Sequence, residues 1–198
     1  KIRAILLLLA LGGILGIPYI TVMPVFAKEV LHGGPRVLGL LTSAMGAGAL
    51  LGALYFAAKP SHRGLMQTIP LAMALVGIGF AGLSVCRSVY PALVFMFLAG
   101  LGMVIHFAAS NTEVQTIVEE SKRGRVVSLL IFSVMGMLPF GSLLAGALTD
   151  VLNIKWVFMM GGAGCLIGAI AFVLNVRKED NRPASHADQV IPTRWDGE

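Results

Sequence analysis

Charge is the scarcest property of this sequence. Asp, Glu, Lys and Arg together make up 13% of its 198 residues, about half the share that a soluble globular domain carries. With a mean hydropathy of +0.85, that shortage excludes an ordinary soluble protein. Cysteine is nearly absent. The two present, Cys86 and Cys165, have no CxxC spacing, which excludes a disulfide framework or a cysteine metal cluster and leaves small apolar filler as their reading. Catalytic signatures are missing too. There is no HExxH for a zinc protease, no GxSG-like nucleophile turn, and no GxxxxGK[ST] phosphate loop, so enzyme readings fail on inventory and no cofactor or metal is expected.

What the chain has instead is long uncharged runs. Stretches free of Asp, Glu, Lys and Arg cover 4–27, 37–58, 64–86, 88–112, 126–149 and 156–176, each close to the roughly 20 apolar residues that a helix needs to cross a bilayer. Lipid offers the backbone no hydrogen-bond partner, so each run is expected to be a helix, and the fold class is an all-α integral membrane bundle of six spans. The first run is too long for a signal-peptide core and is read as a span. After Val176 the composition turns polar, and 177–198 is expected to be a mobile cytoplasmic tail.

The formal charge of +5 reads as topology rather than as nucleic-acid binding. With the N-terminus cytoplasmic, eleven basic residues fall inside (Lys1, Arg3, Lys59, Arg63, Lys122, Arg123, Arg125, Arg177, Lys178, Arg182, Arg194) and four outside (Lys28, Arg36, Arg87, Lys155). Such a bias places both termini in the cytoplasm of a cell inner membrane, with the lipid bilayer as an obligatory partner. Tyr90 and Trp156 then stand at outer helix ends, in the layer that amphipathic rings favour. The chain opens on Lys1-Ile2-Arg3 without an initiator Met, and is expected to be a piece of something longer.

Most of the 24 glycines lie in the spans, among them Gly12-x-x-x-Gly16, Gly48-x-x-x-Gly52 and Gly164-x-x-x-Gly168. Lipid tails give helices no hydrophobic reason to associate, so such small faces mark close packing, or a smooth surface on which helices slide. Pro18, Pro24, Pro70 and Pro139 each interrupt a span's hydrogen bonding. One ionisable side chain, His106, lies within a span, with Ser110 and Glu113 on its face at i+4 and i+7. An intramembrane ionisable group is a functional candidate by default; the alternative is a neutral histidine bonded to a neighbouring helix. Asn111 and Gln115 form a second i, i+4 pair. Glu119, Glu120 and the following cations suggest a short surface helix in the 113–125 connection.

The segment PVFAKEVLHGGPRVLGLLTSAMGAGALLGAL (24–54), the element NTEVQTIVEESKRGRVVSLL (111–130) and the Gly/Pro-rich GMLPFGSLLAG (136–146) together resemble the second half of major facilitator superfamily exporters. The branch is that of the enterobactin exporter and the transmembrane secretion effectors. The resemblance implies helices seven to twelve of a twelve-helix transporter, whose two halves rock around a central cavity. It also implies an N-terminal six-helix half as partner, a small-molecule substrate, and protons as a candidate coupling ion. The first, second, fourth and fifth helices would line the path, with the third and sixth outside.

From that arrangement Tyr19, Met23, His106 and Phe140 are the expected substrate-binding wall, since an amphipathic substrate wants aromatic and adaptable apolar surface with few polar groups. Glu113 and Arg125 close the longest inner connection and are the expected gating pair, two solvated interface charges being the alternative. Gly46, Gly48, Gly52, Gly136 and Gly141 are expected on the face toward the missing half. The function so read is half of a secondary exporter of small hydrophobic or amphipathic compounds, expected to be inactive without the other half; the alternative is a self-sufficient six-helix module that dimerises or scaffolds a partner.

Overall fold

The structure, a computed structural model, describes residues 2–16, 19–58 and 64–180. Pro18, the basic turn with Lys59 and Arg63, and the tail from 181 onward lie outside the described residues. Among the described residues there are no strands, and six helical segments are long and apolar enough to cross a membrane. The first span, Ile2–Val30, comprises α1 (Ile2–Leu15), α2 (Tyr19–Val25) and a widened π turn, Phe26–Val30. The second, third and fourth are α3 (Pro35–Ala57), α4 (Leu65–Val85) and α5 (Val89–Ile117). The fifth, Glu120–Val151, joins α6 (Arg123–Ile131), a second π turn (Phe132–Gly136) and α7 (Leu138–Val151). The sixth is α8, Ile154–Asp180.

Backbone chemistry explains the interruptions. Pro24 lies in α2 just before one π turn, and Pro139 lies in the first turn of α7 just after the other. A proline has no N–H to give the carbonyl four residues back, and a π turn shifts the local bonds to i+5. Leu31 N–H accordingly bonds the Phe26 carbonyl at 3.3 Å. Pro139 therefore divides the fifth span into two helices rather than bending one. The structure also differs from expectation at two helix ends. The 113–125 connection does not hold a separate amphipathic helix: α5 runs on through Ile117, and Glu120–Lys122 is a single 3-10 turn. Likewise residues 177–180 continue α8, because adding one more residue to an existing helix costs far less than starting one.

Packing is organised around α4 and α5. α5 holds α3 on one side and α4 on the other, α4 in turn packs on α8, and α1 lies against α8. Glycine sets these distances. A Cβ at Gly52 would sit 2.8 Å from the Leu101 carbonyl oxygen, and one at Gly48 would collide with that of Phe97; Gly100 meets the Met45 carbonyl in return. On the other side Gly102 lies against Ala72 and Gly79 against Phe95 and Ala99. Gly164 and Gly168 accept Leu15 and Leu11 of α1. Two of the three spaced glycine pairs are therefore contacts within this chain. The expectation that Gly48 and Gly52 face the missing half is corrected: a small-residue stripe marks a close contact without saying with what, and here the neighbour is α5. Gly141 is likewise buried, whereas a Cβ at Gly46 would meet nothing within 4 Å.

The third span is the most enclosed of the six and the second and fifth the least. What α4 leaves uncovered is a narrow apolar stripe of Leu71, Ile78 and Val85, whereas the second and fifth spans leave broad faces bare, including Leu50, Leu54, Phe140 and Leu143. Cys86 and Cys165 are buried free thiols.

The α3 to α5 contact yields a paired prediction. Gly48→Ala should lower the thermal stability of the purified chain by roughly 1 to 3 kcal/mol, the usual cost of forcing bulk into a filled contact. Gly46→Ala, on the open side of the same helix, should leave it unchanged or slightly raised. Equal melting temperatures for the two variants would remove the close contact from the account.

Candidate substrate cleft

His106 stands on α5, in the half of the helix nearer its C-terminal end. Its side chain is buried and its Nδ1 lies 3.2 Å from the backbone carbonyl oxygen of Ile69 on α4. A carbonyl only accepts, so the geometry requires Nδ1 to carry the proton and donate it. Nε2 is then a bare lone pair, and it is buried without a hydrogen-bond partner. One turn further along, Ser110 is fully buried, and its Oγ also lacks a partner. An unsatisfied buried polar atom costs about 1 to 3 kcal/mol. Two on one stripe of one helix mark α5 as more than a packing element. The bond to Ile69 matches the alternative of a histidine tied to a neighbouring helix, while the free Nε2 keeps the functional reading alive.

His106 lines a cleft of about 310 Å³ between the first, third, fourth and fifth spans. One wall is Gly12, Gly13 and Gly16, whose missing side chains leave the space open; Met73, Met103 and Met135 form much of the remainder. Gly13 has a structural duty here, since a Cβ there would lie 2.9 Å from the Val134 carbonyl oxygen in the fifth-span π turn. The two interrupted spans thus touch beside the cleft. Thioethers are polarisable and adapt to varied shapes. No Asp, Glu, Lys or Arg is among the lining residues.

A second, smaller cleft of about 130 Å³ opens between the first span, α7 and α8, with Tyr19, Phe80 and Phe158 in its wall. Tyr19 stacks on Phe80 at 5.9 Å, and Phe158 meets Phe26 edge-on at 5.0 Å. The four expected wall residues are therefore dispersed. Tyr19 lines the small cleft and His106 the large one; Met23 is in the core at 2% exposure, and Phe140 stands 64% exposed on α7. The methionines of the large cleft were not singled out from the sequence. Met103 sits three residues before His106 on the same helix, a spacing that could have pointed to it, but Met73 and Met135 reach the cleft only through tertiary packing.

At the far end of α5, Gln115 Nε2 donates to Asn111 Oδ1 at 3.0 Å, the expected pair. Glu113 is half-buried, Arg125 is exposed, and the structure does not join them. The ion pair found among the described residues is Lys122 to Glu119, 3.0 Å apart and largely exposed, worth ~1 kcal/mol at most.

Comparison with known proteins follows the same lines. The family model described as transmembrane secretion effector matches residues 1–195. The staphyloferrin A transporter of Staphylococcus aureus is 26% identical over 167 residues, covering 82% of this chain and 41% of that protein. An uncharacterized MFS-type transporter of Bacillus subtilis, YfmI, is 26% identical over 176 residues, covering 86% of this chain and 43% of its own length. The chain spans less than half the length of these curated relatives.

The hydrogen bond to Ile69 makes a spectroscopic prediction. In ¹⁵N-histidine-labelled protein at neutral pH, His106 should show a protonated Nδ1 and an unprotonated Nε2, and Ile69 carbonyl labelling should sense its ring. Observation of the opposite tautomer would mean that the ring is oriented by some other partner.

Proposed function

The chain belongs to the transmembrane secretion effector family of the major facilitator superfamily, and on that premise we propose that it forms the C-terminal half of a secondary exporter of small hydrophobic or amphipathic compounds. It is a multi-pass membrane protein of a transporter family, and its relatives are about twice its length. The carrying observation for the finer reading is the cleft beside His106: glycine, methionine and aromatic surface around one imidazole, with no fixed charge in the lining. An apolar wall with a few placed polar groups suits a ligand that is itself mostly apolar.

In this reading an N-terminal six-helix half covers the open faces of the second and fifth spans, and the substrate passes between the halves by alternating access in the cell inner membrane, both termini being cytoplasmic. Phe140 and Tyr19 meet the substrate along the path and His106 reads a hydrogen-bond donor on it; Met23 is enclosed in the core. The interrupted first and fifth spans supply the adjustable backbone, as broken helices do in other transporters. Glu113 and Arg125, separate in this conformation, pair when the inner ends of the fourth and fifth spans close, and protons are the candidate coupling ion. A bundle that rocks breaks contacts at one face while forming them at the other.

Reconstitution tests this. Vesicles holding the 198-residue chain alone should show no gradient-driven movement of a lipophilic fluorescent dye, and vesicles holding it with the missing six-helix half should show it. Robust transport by the chain alone would favour the self-sufficient module instead.

A further inference from the structure

Three connections meet at the end of the bundle where the first, third and fifth spans finish. They enclose a cleft of about 360 Å³ whose polar lining is Glu29, His32, Arg87, Asn153 and Lys155. Unlike the clefts lined by Tyr19 and by His106, this one gathers charge of both signs. Glu29, Arg87 and Lys155 face a common space, yet no ion pair joins them; the pair found among the described residues, Lys122 to Glu119, is at the opposite end of the bundle. Opposite charges this near a shared void would gain by closing on each other, so the space between them is suited to a ligand that carries both signs.

The surroundings fix its depth and shape. His32 holds a left-handed backbone conformation, φ 49°, uncommon for a residue with a Cβ, and the Gly33 N–H bonds the Ala27 carbonyl at 2.9 Å. The turn carrying His32 is thereby tied back to the end of the first span. Asn153 Oδ1 accepts the Lys155 N–H at 3.1 Å, which leaves the amide NH₂ of Asn153 available as a donor. Trp156 and Tyr90 are 61% and 83% exposed at the same end, the pattern of rings that lie at the headgroup layer of a bilayer.

We propose that this cleft binds the headgroup of an aminophospholipid, with the phosphodiester against Arg87 and Lys155 and the primary ammonium against Glu29. A purely anionic glycerol headgroup would leave Glu29 facing negative charge. A choline headgroup has no N–H to donate to the carboxylate. The shared chemistry, a phosphodiester with a primary ammonium, also occurs in soluble esters; the ring of exposed Trp156 and Tyr90 favours the membrane as its source.

Native mass spectrometry of the purified full chain tests the site, with phosphatidylethanolamine, phosphatidylserine, phosphatidylcholine and phosphatidylglycerol titrated separately. The two aminophospholipids should be retained more than the other two. Glu29→Gln should abolish that preference, a change of about fivefold on the scale of an exposed ion pair, and Arg87→Ala with Lys155→Ala should weaken all four lipids. Lys122→Ala, a cation at the other end, should change nothing, and circular dichroism should show every variant folded. A preference that survives Glu29→Gln, or binding that survives loss of both cations, overturns the proposal. So does displacement of the lipid by soluble glycerophosphoethanolamine at the concentration at which the lipid itself binds, which would exclude the membrane as source.

Discussion

Backbone-to-backbone approach between helices, made possible by glycine, is the contact on which this bundle depends. In a bilayer, apolar side chains gain little by leaving lipid for protein, so helices associate through dispersion contact at short range. α5 is the element that collects these contacts. Gly48 and Gly52 of α3 rest on its carbonyls, its own Gly100 rests on Met45, and its Gly102 rests on Ala72 of α4. Gly77 and Gly162 then extend the same kind of contact from α4 to α8. The four helices α3, α4, α5 and α8 are thereby fixed at distances that no larger residue would allow.

The interrupted spans are held differently, and both line the cleft beside His106. The first and fifth spans each contain a π turn beside a proline, and they touch where Gly13 meets the carbonyls of Ser133 and Val134. The cleft lined by His106 lies beside that contact, with Gly12, Gly13 and Gly16 of the first span and Val134 and Met135 of the fifth in its wall. The broken backbone and the glycine wall both border the cleft that His106 lines. Its own position is set by a carbonyl of α4, a helix clamped from both sides.

Much of this was legible in the sequence. Each uncharged run had to be a span, because neither charge nor irregular backbone is tolerated in lipid without a local reason, and His106 stood out as the one ionisable group inside them. Contact partners were not legible. Gly48 and Gly52 announce a close approach, but only tertiary structure decides that α5, and not a partner, fills it. The hydrogen bond that orients His106 ends on the backbone of Ile69, and a carbonyl leaves no mark on the sequence. Met73 and Met135 join Met103 around the cleft beside His106 from distant parts of the chain, while Phe140, chosen for its aromatic character and its Gly/Pro-rich helix, stands on an open face. Helix ends were misjudged for a simpler reason: α5 and α8 continue past the last uncharged residue because their hydrogen bonding does.

The central claim is that the bare faces of the second and fifth spans are covered by a second six-helix half while α4 keeps its lipid stripe. Site-directed nitroxides at Gly46, Leu143 and Ile78, one on each of these faces, measure it through their accessibility to dissolved oxygen in bilayers. The account predicts that adding the N-terminal half sharply lowers oxygen accessibility at Gly46 and Leu143 and leaves Ile78 unchanged. Protection at Ile78 with Gly46 and Leu143 still open to lipid would contradict it.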